Sequence, residues 1–382
     1  NKKSRKTQTK KKKKSLYIAT RDPYSGRNSG YVIGSNKIIN VLKKKNILDV
    51  VCFGEKTLLQ KNIFKFKKPF FLMRIIYVIK SLILLQPLQF GLFFSKDLER
   101  FVSSRADSYD LIFFYHIRSS QYLPKNFKGK KIIEMGDLYS SNYLQTFDNL
   151  SLFNPLKYVY FLESILIKKV EINIFKKFDK IILFSKSEIK KVNKIFIKKI
   201  IHINISIDKI QKKYVFSNKN KKILFIGNLK YLPNKLAVKN FIKNILPKLE
   251  KKIPEVSLEV IGDISKMNKV LLSSNKKVKF LGVQKNIDKF IKGSFCGLAN
   301  LKIATGMQGK ILSYMSYGLP VICSRQVAYN FNKNVLSYSN DNELINKIVS
   351  LKNNKKVSSL ISKKSLRFIN NFTWKKIAKK YL

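Results

Sequence analysis

The sequence predicts an α/β protein of two Rossmann-like units, each a parallel sheet covered by helices. Three observations carry this reading. Continuous apolar runs of strand length alternate with helical patterns, as parallel strands buried on both faces do. The alternation breaks at residues 207–221, "IDKIQKKYVFSNKNK", and then restarts. Each half opens on a strand and a glycine-containing loop, so two parallel sheets are expected to face a central cleft.

In the first unit, "SLYIAT" (15–20) leads through the loop "RDPYSGRNSG" into a helical pattern carried by Ile38, Ile39 and Leu42. Strands follow over 49–54, 109–116, 130–137, 180–185 and 200–206, with a long helix over 155–178 and another helix from Lys186. The second unit has strands over 222–228, 257–263, 278–283, 296–301, 320–324 and 335–339, and helices over 234–249, in "NIDKFIKG", and from Asp341 and Lys355. With 382 residues, the chain suits two cores better than one. The expected divisions are a disordered basic tail (1–14), an N-terminal domain (15–210) and a C-terminal domain (220–365).

Composition narrows the function classes. Lys and Arg number 78 against 22 Asp and Glu, a formal charge of +56, which attracts polyanions such as nucleic acid, anionic lipid or phosphorylated substrates. Coding bias toward Lys, Ile, Asn, Phe and Tyr explains part of this, but not the scarcity of acidic residues. The basic residues are spread along the chain without a zinc, RRM or helix-turn-helix signature, so nucleic acid is disfavoured as the partner. A hydrophobic share of 45% excludes general disorder. Cys52, Cys296 and Cys323 show no metal spacing and are odd in number, which indicates a reducing compartment. Two histidines, His116 and His202, exclude a histidine-rich metal site. The basic first residues run straight into a strand without the apolar segment of a secretion signal. The apolar stretch 69–94 is interrupted by Arg74, Lys80 and two prolines. It reads as amphipathic helices, with burial in the domain preferred over a place on a membrane surface.

The chemistry concentrates in "ATGMQGKILSYMSYGLPVIC", residues 304–323. At helical spacing Gly306, Lys310, Ser313 and Tyr317 share one face, while Met307, Ile311, Leu312 and Met315 form an apolar arc beside it. Thr305 is expected to cap the helix, and Gly306 to allow close backbone approach. First-turn N–H groups with Lys310 then make an anion site. Gly318 is expected to end the helix, and Pro320 to start the next strand. By spacing alone, an ordinary βαβ crossover with a solvent-facing lysine fits equally well.

The segment "TGMQGKILSYMSYGLPVICS" resembles the nucleotide-sugar-binding segment of GT-B-fold glycosyltransferases of the retaining group 1 superfamily. "FIGNLKYLPNKLAVKNFIKNILPKLEKKIPEVSLEVIGD" and "VKFLGVQKNIDKFIKGS" are similar to the family's first C-terminal units. "SLYIATRDPYSGRNSGYVIGSNKIINVLKKK" is similar to its opening strand, loop and helix. "PLQFGLFF", "YDLIFFYHIRSSQYL", "IIEMGDLYSSNY" and "FDKIILFSKSE" resemble a bacterial surface-polysaccharide branch. The closing "FTWKKIAKKYL" resembles the helix, here 366–382, that returns to the N-terminal domain.

The resemblance implies a nucleoside-diphosphate-sugar donor, and transfer with retention to a lipid-linked or polysaccharide acceptor. The protein would sit at the cytoplasmic face of a membrane in peripheral contact with anionic lipid, with no metal or other cofactor. Its donor site falls on Gly30, Gly227, Asn228, Gly306, Met307, Gln308, Lys310 and Ser313. Two departures stand out: the family's ribose-binding Glu is here Ser313, with Thr305 at a second common Glu position, and its strand-end Arg is Asn228. Lys230, Lys235 and Lys302 are the candidates to replace that charge. His116 and Asp137 are the candidate catalytic residues, with Arg118 on the acceptor side. A structural histidine and a helix N-cap are the competing roles for the first two. Glu163 and Glu171 read as solvated or ion-paired. The departures also leave open a catalytically weak, carbohydrate-binding relative, and the charge leaves open a basic nucleic-acid-binding protein.

Overall fold

A computed structural model describes residues 12–26, 29–55, 61–264 and 275–381. Most of the expected basic tail lies outside the described residues. Its last part does not: the first strand starts at Lys13, because the backbone of Lys13 and Lys14 pairs with Asn46 and Ile47.

The N-terminal sheet has seven parallel strands: β1 (Lys13–Ala19), β2 (Asn46–Phe53), β3 (Ile63–Phe66), β4 (Leu111–Tyr115), β5 (Lys130–Gly136), β6 (Lys180–Leu183) and β7 (Ile200–His202). Their order is β3-β2-β1-β4-β5-β6-β7. Edge strand β3 was not predicted; its four half-buried residues carry too short a pattern to register. The C-terminal sheet has six parallel strands: β8 (Lys222–Ile226), β9 (Ser257–Ile261), β10 (Val278–Phe280), β11 (Ser294–Ala299), β12 (Val321–Ser324) and β13 (Leu336–Tyr338), in the order β10-β9-β8-β11-β12-β13. In each sheet the chain reverses its winding beside the first strand, at β1/β4 and at β8/β11. Ligands of open α/β sheets bind at such switch points, beyond the carboxyl ends of the strands.

The covering helices of the N-terminal unit are α1 (Gly30–Lys45), α2 (Phe71–Ile83), α3 (Leu88–Leu92), α4 (Lys96–Arg105), α5 (Tyr139–Asn149), α6 (Leu156–Lys177) and α7 (Lys186–Ile189). The C-terminal unit continues with α8 (Leu232–Asn240), α9 (Leu246–Lys252), α10 (Asp288–Ile291) and α11 (Gly309–Tyr317). The helix expected over 234–249 is broken by a π-helical turn at Phe241–Ile245, just before Pro247. Proline has no N–H to continue the α ladder. The chain ends by crossing back. Thr373 bridges Ile207, the Trp374 N–H donates to the Ile207 carbonyl at 2.9 Å, and the Tyr381 hydroxyl donates to Glu134.

The preferred burial of stretch 69–94 holds for α3, where Gln89, Phe90 and Gly91 are buried, and fails for α2. Helix α2 presents Phe71 at 74% and Ile83 at 76% exposure, with Leu72, Ile76 and Ile79 also exposed. The segment entering α6 adds Phe153 at 96%. The exposed residues of α2 lie close together on one helix, a denser apolar patch than scattered exposed residues make. Among the described residues no helix is long and apolar enough to cross a membrane.

Glu163 and Glu171 are likewise not solvated. Burial raises both carboxyl pKa values, and each caps a helix start. Glu163 accepts from the N–H of Leu88, the first residue of α3, and Glu171 accepts from the N–H and hydroxyl of Ser140 in the first turn of α5. Neither helix has a side-chain cap of its own, so a carboxylate from α6 supplies the missing acceptor and favours the positive helix end.

Candidate functional site

A cavity of about 1240 Å³ lies between the two sheets. Its N-terminal wall comes from strand ends. β1 ends into Arg21, β4 into His116, and β5 carries Glu134, while Gly30 and Tyr31 open α1. The guanidinium of Arg21 lies 5.2 Å from the Tyr31 ring centroid, and Tyr31 stacks on His116 at 5.0 Å and 13°. His116 Nδ1 is 2.6 Å from the Tyr139 hydroxyl.

His116 also has φ 65°, a left-handed backbone that costs a non-glycine residue about 1–3 kcal/mol and persists only where the surroundings enforce it. Burial, reinforced by the positive Arg118 and Arg21, pushes its pKa down to about 3. The ring is therefore neutral. Burial raises the Tyr139 phenol, which stays protonated and shares this hydrogen bond with Nδ1. Arg118 lines the same cavity, with Nε on Gln89 Oε1 at 2.8 Å and its guanidinium 4.5 Å from the Phe93 ring centroid.

Glu134 sits in the floor. Burial pushes its pKa up to about 8, partly offset by the Tyr381 hydrogen bond. Sequence reading misses this residue, whose signal is a lone carboxylate inside the apolar run "IIEMG". Asp137 stands off the cavity, packed against Gly306 of the other domain. Its Oδ1 is buried without a partner, as is Oε2 of Glu188. Burial raises both carboxyl pKa values, and the proximity of Asp137 raises that of Glu188 further. The expected cap role is absent, since α5 begins after Leu138 with no side-chain cap.

The C-terminal wall is α11 and its loop. The helix starts at Gly309, not at Thr305, and Gln308 stands at the cap position with its amide turned back to the Thr305 carbonyl at 3.0 Å. Thr305 instead accepts from Asn142 of α5 at 2.9 Å, and the Ala304 N–H donates to Gln145 at 3.0 Å. Asn330 joins the Gly306 carbonyl (2.8 Å) to the Ser185 hydroxyl (2.9 Å). The loop before α11 is thus fixed by the opposite domain. Gly306 has φ 67°, and a Cβ there would overlap the Asp137 carboxylate. Gly318 ends the helix in the left-handed conformation, as expected.

The predicted site residues divide into separate groups. Gly30, His116, Arg118 and Ser313 line the cavity with Gly309. Met307 is buried in the C-terminal core, leaving its backbone alone for any ligand. Lys310 does not line the cavity with Ser313 and Tyr317. Its Nζ donates to Asn234 Oδ1 at 2.7 Å and lies 4.1 Å from the Phe225 ring centroid. Burial lowers its pKa to about 7. Gly227 and Asn228 belong to this second cluster: Asn234 Nδ2 donates to the Asn228 carbonyl at 2.9 Å, and a Cβ at Gly227 would strike the Asn234 side chain. Of the candidates to replace the missing arginine, Lys230 pairs with Asp263 at 2.7 Å.

The family described as Glycosyl transferases group 1 matches residues 220–354, the C-terminal sheet unit. No curated protein matches the chain. Among solved structures, Anabaena HepE in complex with UDP and glucose superposes with a TM-score of 0.67 at 14% identity, over 96% of this chain and 98% of that one. TarM gives 0.64 at 12% identity, and WaaG, a glycosyltransferase involved in lipopolysaccharide biosynthesis, gives 0.61 at 10%, each over 96% of this chain and 98% of that one. The fold is GT-B. With the family match in its C-terminal unit, the chain is built as a glycosyltransferase.

Proposed function

We propose that this chain transfers a sugar, with retention, from a nucleoside-diphosphate sugar to a lipid-linked or polysaccharide acceptor at the cytoplasmic face of a membrane. The observation that carries the reading is the cavity itself, where the start of α11 opposes a neutral, strained His116 flanked by Arg21 and Arg118. As the bond to the leaving diphosphate breaks, negative charge grows on it. First-turn amides of α11 and the two guanidinium groups stabilise that charge without reorganising. In the tautomer in which Tyr139 donates to Nδ1, His116 Nε2–H offers a neutral donor to the sugar or its departing oxygen. The HepE structure with UDP and glucose supports a uridine diphosphate donor.

The acceptor side is read from the apolar surface of α2. Arg118 contacts Gln89 of α3, and α3 packs on α2. A lipid-borne acceptor held at that surface would reach the cavity past Arg118, while the surrounding lysines favour anionic lipid.

The test incubates the purified protein with UDP-glucose, UDP-galactose and UDP-N-acetylglucosamine, with and without a polyprenyl-diphosphate-linked sugar acceptor. Product with the donor's anomeric configuration is expected. Neither transfer nor donor hydrolysis with any donor would sink the enzyme reading. Co-sedimentation with anionic phospholipid vesicles, weakened in Ile76→Ser/Ile79→Ser, checks the membrane contact independently.

A further inference from the structure

Arg118 lines the cavity, and among the described residues no carboxylate forms an ion pair with it. A carboxylate does reach it, but only through an amide. Gln89 Oε1 accepts from Arg118 Nε at 2.8 Å, while Gln89 Nε2 donates to Glu163 Oε2 at 3.2 Å and to the Tyr143 hydroxyl at 3.0 Å. Gln89 and Glu163 are both buried, and the other oxygen of Glu163 is taken by the Leu88 N–H. Three helices meet in this network: α3 brings Gln89, α5 brings Tyr143 and α6 brings Glu163.

The polarity of the network fixes the amide. Turned over, its NH2 would meet the Arg118 Nε–H, two donors face to face, so the carbonyl has to point at the guanidinium. An amide set between the two charges also does what a direct ion pair does not. It holds the guanidinium through Nε, with the Phe93 ring centroid 4.5 Å away, and leaves the terminal nitrogens to meet an anion in the cavity. A carboxylate touching Arg118 would occupy that fork and cancel its charge.

We propose that Gln89, fixed by Glu163 and Tyr143, is a positioning residue that aims Arg118 at the diphosphate of the donor. This rests on the donor-cleft reading above, and a double-mutant cycle separates the two. Calorimetry with UDP and GDP, and kinetics with the sugar donor of the tighter one, compare wild type, Gln89→Met, Arg118→Ala and the double variant. Methionine keeps the length of the side chain and removes the amide. Arg118→Ala weakens nucleotide binding by about 30-fold, the worth of a hydrogen bond to a charged group, and Gln89→Met by about fivefold. The double variant stays within about twofold of Arg118→Ala, because Gln89 acts through a group that is no longer there. The same non-additivity appears in kcat, since charge on the diphosphate grows toward the transition state.

Losses that multiply to about 150-fold in the double variant show a general structural role for Gln89. That result, or wild-type affinity and kcat in Gln89→Met, overturns the assignment and leaves the donor reading standing. A wild type that binds neither UDP nor GDP overturns both. If Gln89→Met fails to fold, Gln89→Asn decides: it stays polar but draws the amide back by one methylene, and its loss must likewise vanish beside Arg118→Ala.

Discussion

On the C-terminal side of the cleft, the groups at the cavity come from one helix, Gly309 to Tyr317, and from the segment Lys285 to Asp288 beside it. On the N-terminal side they come from separate places: Arg21 after β1, Tyr31 on α1, His116 after β4 and Tyr139 on α5. The first wall is largely backbone, with a left-handed glycine, a helix start and a left-handed stop. The second is a stack of side chains around a strained histidine. A backbone wall suits a ligand part shared by many donors, such as diphosphate. A side-chain wall suits the part that differs, the sugar and its acceptor.

The backbone wall can be broken at one atom. Gly306→Val adds a side chain where the left-handed φ and the Asp137 carboxylate leave no room. The loop must leave Asn142, Gln145 and Asn330 together. Transfer is expected to fall by more than about 10²-fold, as misplacement of catalytic geometry does. Asp137→Gly in the same chain should recover part of it. Steady-state kinetics of the single and double variants check this; a Gly306→Val protein with unchanged kcat would show that the loop does not set the donor site.

The side-chain wall answers to His116→Ala, with a smaller loss of about 10²-fold in kcat, the effect of removing one preorganised donor. Its neutrality adds a second readout. A ring with pKa near 3 contributes no step to the kcat profile between pH 5 and 8. An ionisation near 6.5 that vanishes in His116→Ala would contradict the burial argument.

The same contrast explains what could be read in the sequence. Both sheets, the break near 207–221 and the helix stop at Gly318 were legible because glycine, proline and apolar periodicity act locally. The Arg21–Tyr31–His116–Tyr139 stack was not, since its members meet only after β1 and β4 pair and α1 and α5 pack across their ends. Glutamates 163 and 171 looked solvated because their partners, the open starts of α3 and α5, lie far off in sequence. Helix α2 looked buried because composition reports apolarity and not what covers it. Lys310 misses the cavity because spacing fixes where a side chain leaves the helix and not where a long one ends, here on Asn234.

Lys310 supplies the smallest effect and the sharpest link between the walls' chemistry. Its amine rests on Asn234 and the Phe225 ring, with burial lowering its pKa from 10.5 to about 7. If it swings to a bound diphosphate, the anion restores the charged form, so binding takes up a proton above pH 7. UDP affinity should then fall by up to about tenfold per pH unit between pH 7.5 and 9.5. Titration calorimetry at pH 8.5 in buffers of different ionisation enthalpy should count close to one proton. Lys310→Met removes both the slope and the proton. The stability sign is opposite to that of a paired lysine. The folded pKa lies below the unfolded one, so the penalty is full below pH 7 and fades as pH rises toward about 10.4. Lys310→Met should therefore raise Tm most at pH 6 and least at pH 10. A variant that binds UDP with the wild-type slope would leave Lys310 a packing residue and the phosphate site to the backbone of α11 and the guanidinium groups opposite.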